Sequence, residues 1–275
     1  MTASPVSTMN DDHTIPQLGF GTWQVEPDVA QASVAAALET GYRHIDTAAI
    51  YGNEEGVGRA LAESGLDRQE IFLTTKLWNQ DQGYDSALKA MDQSLQRLGT
   101  DYVDLYLIHW PCPANGLYRD SWEALVELRN SGRARSIGVS NFPAHLVEEL
   151  VNSGVTPAVN QIELHPYFPQ VELRAANASH GVLTEAWSPL GQGGEVLTDP
   201  TVTEIAEEVG ATPAQTVLAW QLAIGNIVFP KSVTPERIRE NWGALQVTLD
   251  EEQLERLTEL GRDNGRLGPD PMEFN

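Results

Sequence analysis

The chain has 275 residues with 17 Lys+Arg against 39 Asp+Glu, a formal charge of −22; that balance excludes a nucleic-acid binder, whose phosphate contacts need clustered cations. A composition of 41% hydrophobic and 20% charged residues belongs to a chain that buries a core, not to a disordered one. The longest mostly apolar stretch, Val217 to Phe229, is interrupted by Gln221, Gly225 and Asn226 and is too short for the ~20 residues of a membrane helix.

Met1 to His13 carries neither a basic n-region nor an apolar h-region, which predicts a cytoplasmic protein without a secretory leader. Cys112 is the sole cysteine, so no intrachain disulfide is possible. From Leu18 onward, short apolar, β-branched runs alternate with helical patterns. Strands are predicted at Leu18 to Thr22, Arg43 to Asp46, Ile71 to Thr75, Val103 to His109, Ser136 to Val139, Ala158 to Ile162, Val182 to Trp187 and Ile227 to Phe229. Between them, Asp28 to Glu39 is stopped by Gly41 and Ser86 to Leu98 by Gly99, as helix C-termini commonly are. Thr212-Pro213-Ala214-Gln215 is a capping box with proline in the first helical position, Thr234-Pro235 opens another helix, and Asp250 to Leu260 forms one more. Eight strand–helix pairs in about 250 residues predict one α/β domain over residues 1–275, a closed (β/α)₈ TIM barrel with an N-terminal segment and a C-terminal tail at its ends. Ser188 to Pro200, with Gly191, Gly193 and Gly194, is the best candidate for a mobile loop. The tail from Gly261 to Asn275 is predicted either to fold over the body or to stay loose.

Active sites of such barrels lie at the carboxyl ends of the strands. The polar residues predicted there are Asp46, Lys76, His109, Ser140-Asn141, Gln161, Trp187-Ser188 and Lys231-Ser232. Only three lysines exist, Lys76, Lys89 and Lys231, and two of them fall in this ring. Tyr51 stands on the loop after Asp46. A tyrosine is a poor acid at neutral pH unless a neighbouring ammonium favours its phenolate, and Lys76 is the candidate for that role. Asp46 would keep Lys76 charged, and His109 would orient a substrate oxygen beside the phenol. The set suits protonation of a carbonyl oxygen as hydride reaches the carbon. A metal route finds no support, since the six histidines include no H-E-x-x-H pair. A Schiff-base lyase acting through Lys76 is a rival reading, against which the expected Asp46 salt bridge counts. A redox-sensing binding subunit without turnover is another.

No Rossmann fingerprint follows the first strand, because Gly19-Phe20-Gly21-Thr22-Trp23-Gln24 has Gln where the third glycine belongs. The anion site is predicted instead at Lys231-Ser232-Val233-Thr234-Pro235-Glu236-Arg237, where two cations and a hydroxyl meet a helix start.

Three separated segments resemble the aldo/keto reductase family: Gly41 to Ala48 with Glu54 and Val57-Gly58; Ser136 to Phe142; and Pro230-Lys231-Ser232 with Arg237 and Glu240-Asn241. Asn53 to Gly58 and Asn160 to Pro166 are most similar to the bacterial 2,5-diketo-D-gluconate reductase branch. The resemblance covers about Ile15 to Leu260. It implies an NADPH/NADP+-dependent oxidoreductase acting on the CH–OH group, with NADH weaker, that reduces small aldehydes, α-dicarbonyls or keto sugars as a monomer. It makes Tyr51 the general acid, tuned by Lys76 and Asp46, with His109 orienting the carbonyl. It places the nicotinamide carboxamide on Ser140, Asn141 and Gln161, its ring on Trp187, the 2′-phosphate on Lys231, Ser232 and Arg237, and adenine at Glu240 and Asn241. Gly21, Thr22, Trp23, Asp46, Ser188, Leu190 and Val233 complete the implied cofactor contacts. Trp23, Trp78 and Trp110, with Tyr51 and His109, would line the substrate pocket. Phe229 departs from the family pattern, where a smaller aliphatic residue is usual. The Ser188–Pro200 loop is short for a cofactor clamp, which predicts fast cofactor release, and the short Pro111–Leu117 segment predicts an open pocket.

Overall fold

A computed structural model describes residues 3–275; of the N-terminal stretch Met1–His13, Met1 and Thr2 lie outside the described residues. The first element is a hairpin the periodicity did not announce: β1 (Val6–Thr8) pairs antiparallel with β2 (Thr14–Pro16), Ser7 opposite Ile15. Its strands are only three residues long, too short for an alternation to be read.

The barrel follows: β3 (Phe20–Gly21), α1 (Pro27–Thr40), β4 (His44–Asp46), α2 (Glu54–Glu63), β5 (Phe72–Leu77), α3 (Tyr84–Leu98), β6 (Val103–Ile108), α4 (Tyr118–Asn130), β7 (Ala134–Ser140), α5 (Ala144–Asn152), β8 (Val159–Glu163), α6 (Val171–Ser179), β9 (Leu183–Trp187), α7 (Pro200–Val209), α8 (Pro213–Ala223), β10 (Ile227–Val228), α9 (Pro235–Trp242) and α10 (Glu251–Thr258). Strands β3 to β10 pair in sequence order, all parallel, in one eight-stranded sheet. A parallel bridge between Leu18 and Val228 closes it, with Gly19 N donating to Val228 O at 2.9 Å and Val228 N to Gln17 O at 2.8 Å. All eight predicted strands and the (β/α)₈ class are therefore present, and α7 is an additional helix in the seventh unit. Local chemistry explains the punctuation: Pro27 occupies the first turn of α1, Gly41 (φ 126°) and Gly99 (φ 64°) terminate α1 and α3, and the Thr212/Gln215 and Asp250/Gln253 capping boxes both form.

Strand residues alternate between two environments, as the period of two demands. On β5, Leu73 and Leu77 face the helices while Phe72, Thr74 and Lys76 face the axis. The lower interior is apolar, packed by Ile15, Phe72, Leu105, Leu107, Val159, Ile227 and Phe229, with Met9 of the hairpin turn among them. The upper interior is polar. Burial of the lower half anchors the strands; the upper half is left for chemistry.

Phe229, the departure from the family pattern, has a structural account. Its ring meets His44 edge-on at 4.8 Å. A Cβ on Gly19 would stand 2.8 Å from its Cδ1, and one on Gly21 3.1 Å from its carbonyl oxygen. The large side chain fits because the opposing strand carries glycines.

Candidate active site

At the carboxyl ends of β4 and β5, Lys76 Nζ donates to both carboxylate oxygens of Asp46 (2.7 and 2.8 Å) and to Thr47 O (2.9 Å). Lys76 is fully buried and Asp46 nearly so. Burial pulls the ammonium toward neutrality, yet Asp46 and then Tyr51 outweigh it, so the Lys76 pKa is raised. Asp46 thus holds Lys76 charged, as expected, and the amine is not the free nucleophile a Schiff base needs.

Tyr51 sits in a short helical turn, Ala49–Tyr51, after β4. Lys76 Nζ lies 5.2 Å from its ring centroid. Here the expected depression of the phenol does not materialise. Burial raises the Tyr51 pKa, and although the Lys76 charge and hydrogen bond lower it, burial prevails. The phenol keeps its proton, the state a general acid starts from. His109, just past β6, meets Tyr51 edge-on at 5.7 Å. Burial, then the Lys76 charge, lowers its pKa well below the usual value, leaving a neutral imidazole whose Nδ1 has no hydrogen-bond partner. Tyr51, Lys76, Asp46 and His109 are therefore brought together.

A second cluster adjoins the first. Ser140 Oγ donates to Gln161 O (2.9 Å), Asn141 Nδ2 to His109 O (3.0 Å), and Trp187 Nε1 to Asn141 Oδ1 (2.8 Å). Asn141 and Ser188 adopt left-handed backbone (φ 64° and 49°), which turns the chain sharply at two strand ends. Gln161 Nε2 reaches Asp46 Oδ2 at 2.9 Å, joining the two clusters. Thr22 is buried and donates to Asp46 O; Gly21 packs against Phe229; Trp23 is 41% exposed. Leu190 lies part-buried at the head of the loop after β9. That loop contains two tight turns, Gly191–Gly193 and Glu195–Thr198, and Asp199 caps α7.

Around the start of α9, Lys231, Val233 and Arg237 are exposed, Ser232 and Asn241 buried, and Glu240 half-buried. Neither Lys231 nor Arg237 has an ion-pair partner among the described residues. Two unpaired cations on a chain of charge −22 suit a phosphate group.

Trp78 meets His109 edge-on at 5.3 Å, and Trp110 stacks on it at 6.5 Å. The tail does fold over the body: Phe274 packs against Trp110 (4.7 Å) and Trp78 (6.4 Å), and Ala114 N donates to Asn275 Oδ1. Glu163 holds the tail's approach, accepting from Leu267 N (2.6 Å) and Gly268 N (2.8 Å). Phe274 and Glu163 were missed because their relevance depends on where the tail lies. Asn53 was missed as well. It donates to Thr22 O and Val25 O and accepts from Thr47 Oγ1, pinning the loop that carries Trp23. Glu185 went unnoticed although an acid inside the apolar run Val182 to Trp187 was visible.

The aldo/keto reductase pattern matches residues 17–262. The chain belongs to the aldo/keto reductase family. An aldo-keto reductase of Mycolicibacterium smegmatis is 55% identical over 273 residues, covering 99% of this chain and 98% of that protein. Methylglyoxal reductase DkgA of Salmonella typhimurium is 47% identical over 268 residues, 97% and 96% of the two chains. Among solved structures, a mutant of Gox0644 in complex with NADPH superposes with a TM-score of 0.94 at 48% identity over 98% of each chain. No helix among the described residues is long and apolar enough to cross a membrane.

Proposed function

We propose that this aldo/keto reductase is an NADPH-dependent carbonyl reductase of the alcohol dehydrogenase type, acting on small aldehydes, α-dicarbonyls and keto sugars. One observation carries the reading: a buried ammonium locked onto Asp46 stands beside the protonated phenol of Tyr51, with the neutral imidazole of His109 alongside. Bound NADPH supplies the hydride. Tyr51 delivers its proton to the carbonyl oxygen, Lys76 favours the phenolate left behind, and Asp46 keeps Lys76 in place and charged. His109 orients the carbonyl through a hydrogen bond to its oxygen.

The residues present fit the cofactor. Lys231 and Arg237, unpaired around the exposed start of α9, would take the 2′-phosphate together with Ser232 and Val233, which favours NADPH over NADH. Glu240 and Asn241 would meet adenine. Ser140, Asn141 and Gln161 would hold the carboxamide, Trp187 would stack on the ring, and Gly21, Thr22, Trp23, Ser188 and Leu190 would close round the remainder. Trp23, Trp78 and Trp110 would form the walls of the substrate pocket. The methylglyoxal reductase among its relatives supports the dicarbonyl class. We read the protein as a monomer, which light scattering checks.

The test is NADPH oxidation with a panel of small aldehydes and dicarbonyls, comparing the parent with Tyr51→Phe while NADPH affinity is followed by fluorescence. Turnover should fall by about 10²- to 10⁴-fold with binding retained. A parent that binds NADPH tightly but turns over none of the panel would favour the binding-subunit reading instead.

A further inference from the structure

Glu185 and Gln161 are register partners on neighbouring strands β9 and β8, both facing the barrel axis and both buried. Gln161 Nε2 donates to Glu185 Oε2 at 2.9 Å and to Asp46 Oδ2 at 2.9 Å. A primary amide has two N–H donors, and both are spent on carboxyl groups. Flipping the amide would set its oxygen against the Asp46 carboxylate, which is paired with Lys76 and can only accept, so the orientation is fixed. Gln161 Oε1 is then the one polar atom of the side chain without a hydrogen bond among the described residues, and it is not sealed from solvent as Glu185 Oε1 is.

An acid at this depth is costly unless it is neutral or well paired. Burial, followed by the nearby Asp46 charge, pushes the Glu185 carboxyl up to about 8, so it stands largely as the neutral acid at neutral pH. Its Oε1 has no partner. Along β9 its neighbours on the same face are Leu183 and Trp187, and the Lys76 charge nearby acts on it without a hydrogen bond. Its single hydrogen-bonding task is to hold Gln161.

We propose that Glu185 is a positioning residue of the cofactor site: together with Asp46 it sets the Gln161 amide so that its oxygen is presented to the N–H of the nicotinamide carboxamide. The inference rests on the reading above that Gln161 receives that group. It also makes the carboxamide site and the Asp46–Lys76 pair two ends of one hydrogen-bonded chain across the barrel.

The test measures dissociation constants by fluorescence for NADPH and for its reduced 3-acetylpyridine analogue, whose acetyl group has no N–H to offer. Glu185→Met, a near-isostere without an acceptor, should weaken NADPH about five-fold, the scale of one neutral hydrogen bond. Glu185→Gln, which retains an acceptor oxygen, should stay within about two-fold of the parent. Neither variant should change affinity for the analogue by more than about two-fold. Equal weakening of both cofactors by Glu185→Met would mean a general distortion and overturn the proposal, as would unchanged NADPH affinity. Gln161→Ala separates the two levels: if it leaves NADPH affinity intact, the placement of the carboxamide fails; if it weakens NADPH while Glu185→Met does not, only the role of Glu185 fails. Should Glu185→Met not fold, Glu185→Ala serves the same comparison.

Discussion

Lys76 spans the gap between two adjacent strands to place Nζ 2.7 and 2.8 Å from the two oxygens of Asp46, and the lysine exposes no surface at all. Two charges out of water depend on one another. Removing one partner leaves the other uncompensated, which costs about 3–5 kcal/mol, whereas replacing both with apolar groups of similar volume costs far less. Asp46→Leu and Lys76→Met singly should each lower the urea midpoint sharply, and the double variant should recover most of the loss. Additive losses would show that the pair is not coupled. All three variants should be inactive.

The cations at α9 should read phosphate. Lys231→Ala and Arg237→Ala are each expected to raise the dissociation constant of NADPH about ten-fold, in line with a charge-assisted contact, and to leave that of NADH nearly unchanged. The difference should shrink with added salt. Equal effects on both cofactors, measured by fluorescence titration, would place the 2′-phosphate elsewhere.

His44 links stability to acid. It is buried, its ring nitrogens meet Pro16 O and Thr74 Oγ1 at 3.1 Å, and Phe72 and Phe229 press on it. Burial lowers its pKa to about 3 from an ordinary 6.5. Between those values only the unfolded chain takes up the proton. The stability is therefore whole above pH 6.5 and drains as pH falls toward 3, by about 1.4 kcal/mol per pH unit for this one group. Urea midpoints between pH 6.5 and 4 should fall more steeply for the parent than for His44→Asn; parallel curves would contradict the assignment.

Phe229 and Gly19 should be energetically coupled. Gly19→Ala drives a methyl to 2.8 Å from the Phe229 ring, and overpacking of this kind costs about 1–3 kcal/mol. Phe229→Val opens space and costs a comparable amount as a cavity. The double variant should be more stable than the sum of the two, by about 1 kcal/mol or more of interaction energy. Simple additivity in thermal melts would refute the complementarity.

Phe274 closes one side of the aromatic wall at Trp78 and Trp110. Phe274→Ala should raise KM for an aromatic aldehyde by roughly three- to ten-fold, the scale of an aromatic contact, while changing that for methylglyoxal little and NADPH affinity not at all. Equal changes for both substrates would place Phe274 outside the pocket.

The strands were legible because short apolar, β-branched runs, buried on both faces, stand between helical patterns with glycine and proline stops, and the site was legible because polar residues at apolar strand ends are conspicuous. Asp46, Lys76, His109 and Gln161 announce themselves in that way. What stayed hidden depends on distance along the chain. The direction of the Tyr51 shift is decided by how completely Tyr51 is enclosed, which no spacing records. The clasp of Glu163 on Leu267 and Gly268 joins segments whose pairing is chosen by the finished barrel, whereas the hairpin β1–β2 was hidden only by the shortness of its strands. Glu185 is the intermediate case: its oddity within β9 could be seen, its reason only once Gln161 lay beside it.

The seam between Leu18 and Val228 has a bearing on how the chain is made. These two positions lie 210 residues apart in a chain of 275, so a ribosome must deliver β10 before the circle can shut. Until then the growing chain is an open sheet with two bare margins, the kind of surface that attracts other chains. Pairing of such distant segments is entropically slow. The last strand is two residues long, so the final step commits little backbone, and the apolar plug of Phe229 on the glycines of the first strand gives it something to grip. Newly made protein interrupted before this point would be expected to need a chaperone; once sewn, the ring leaves no margin to catch.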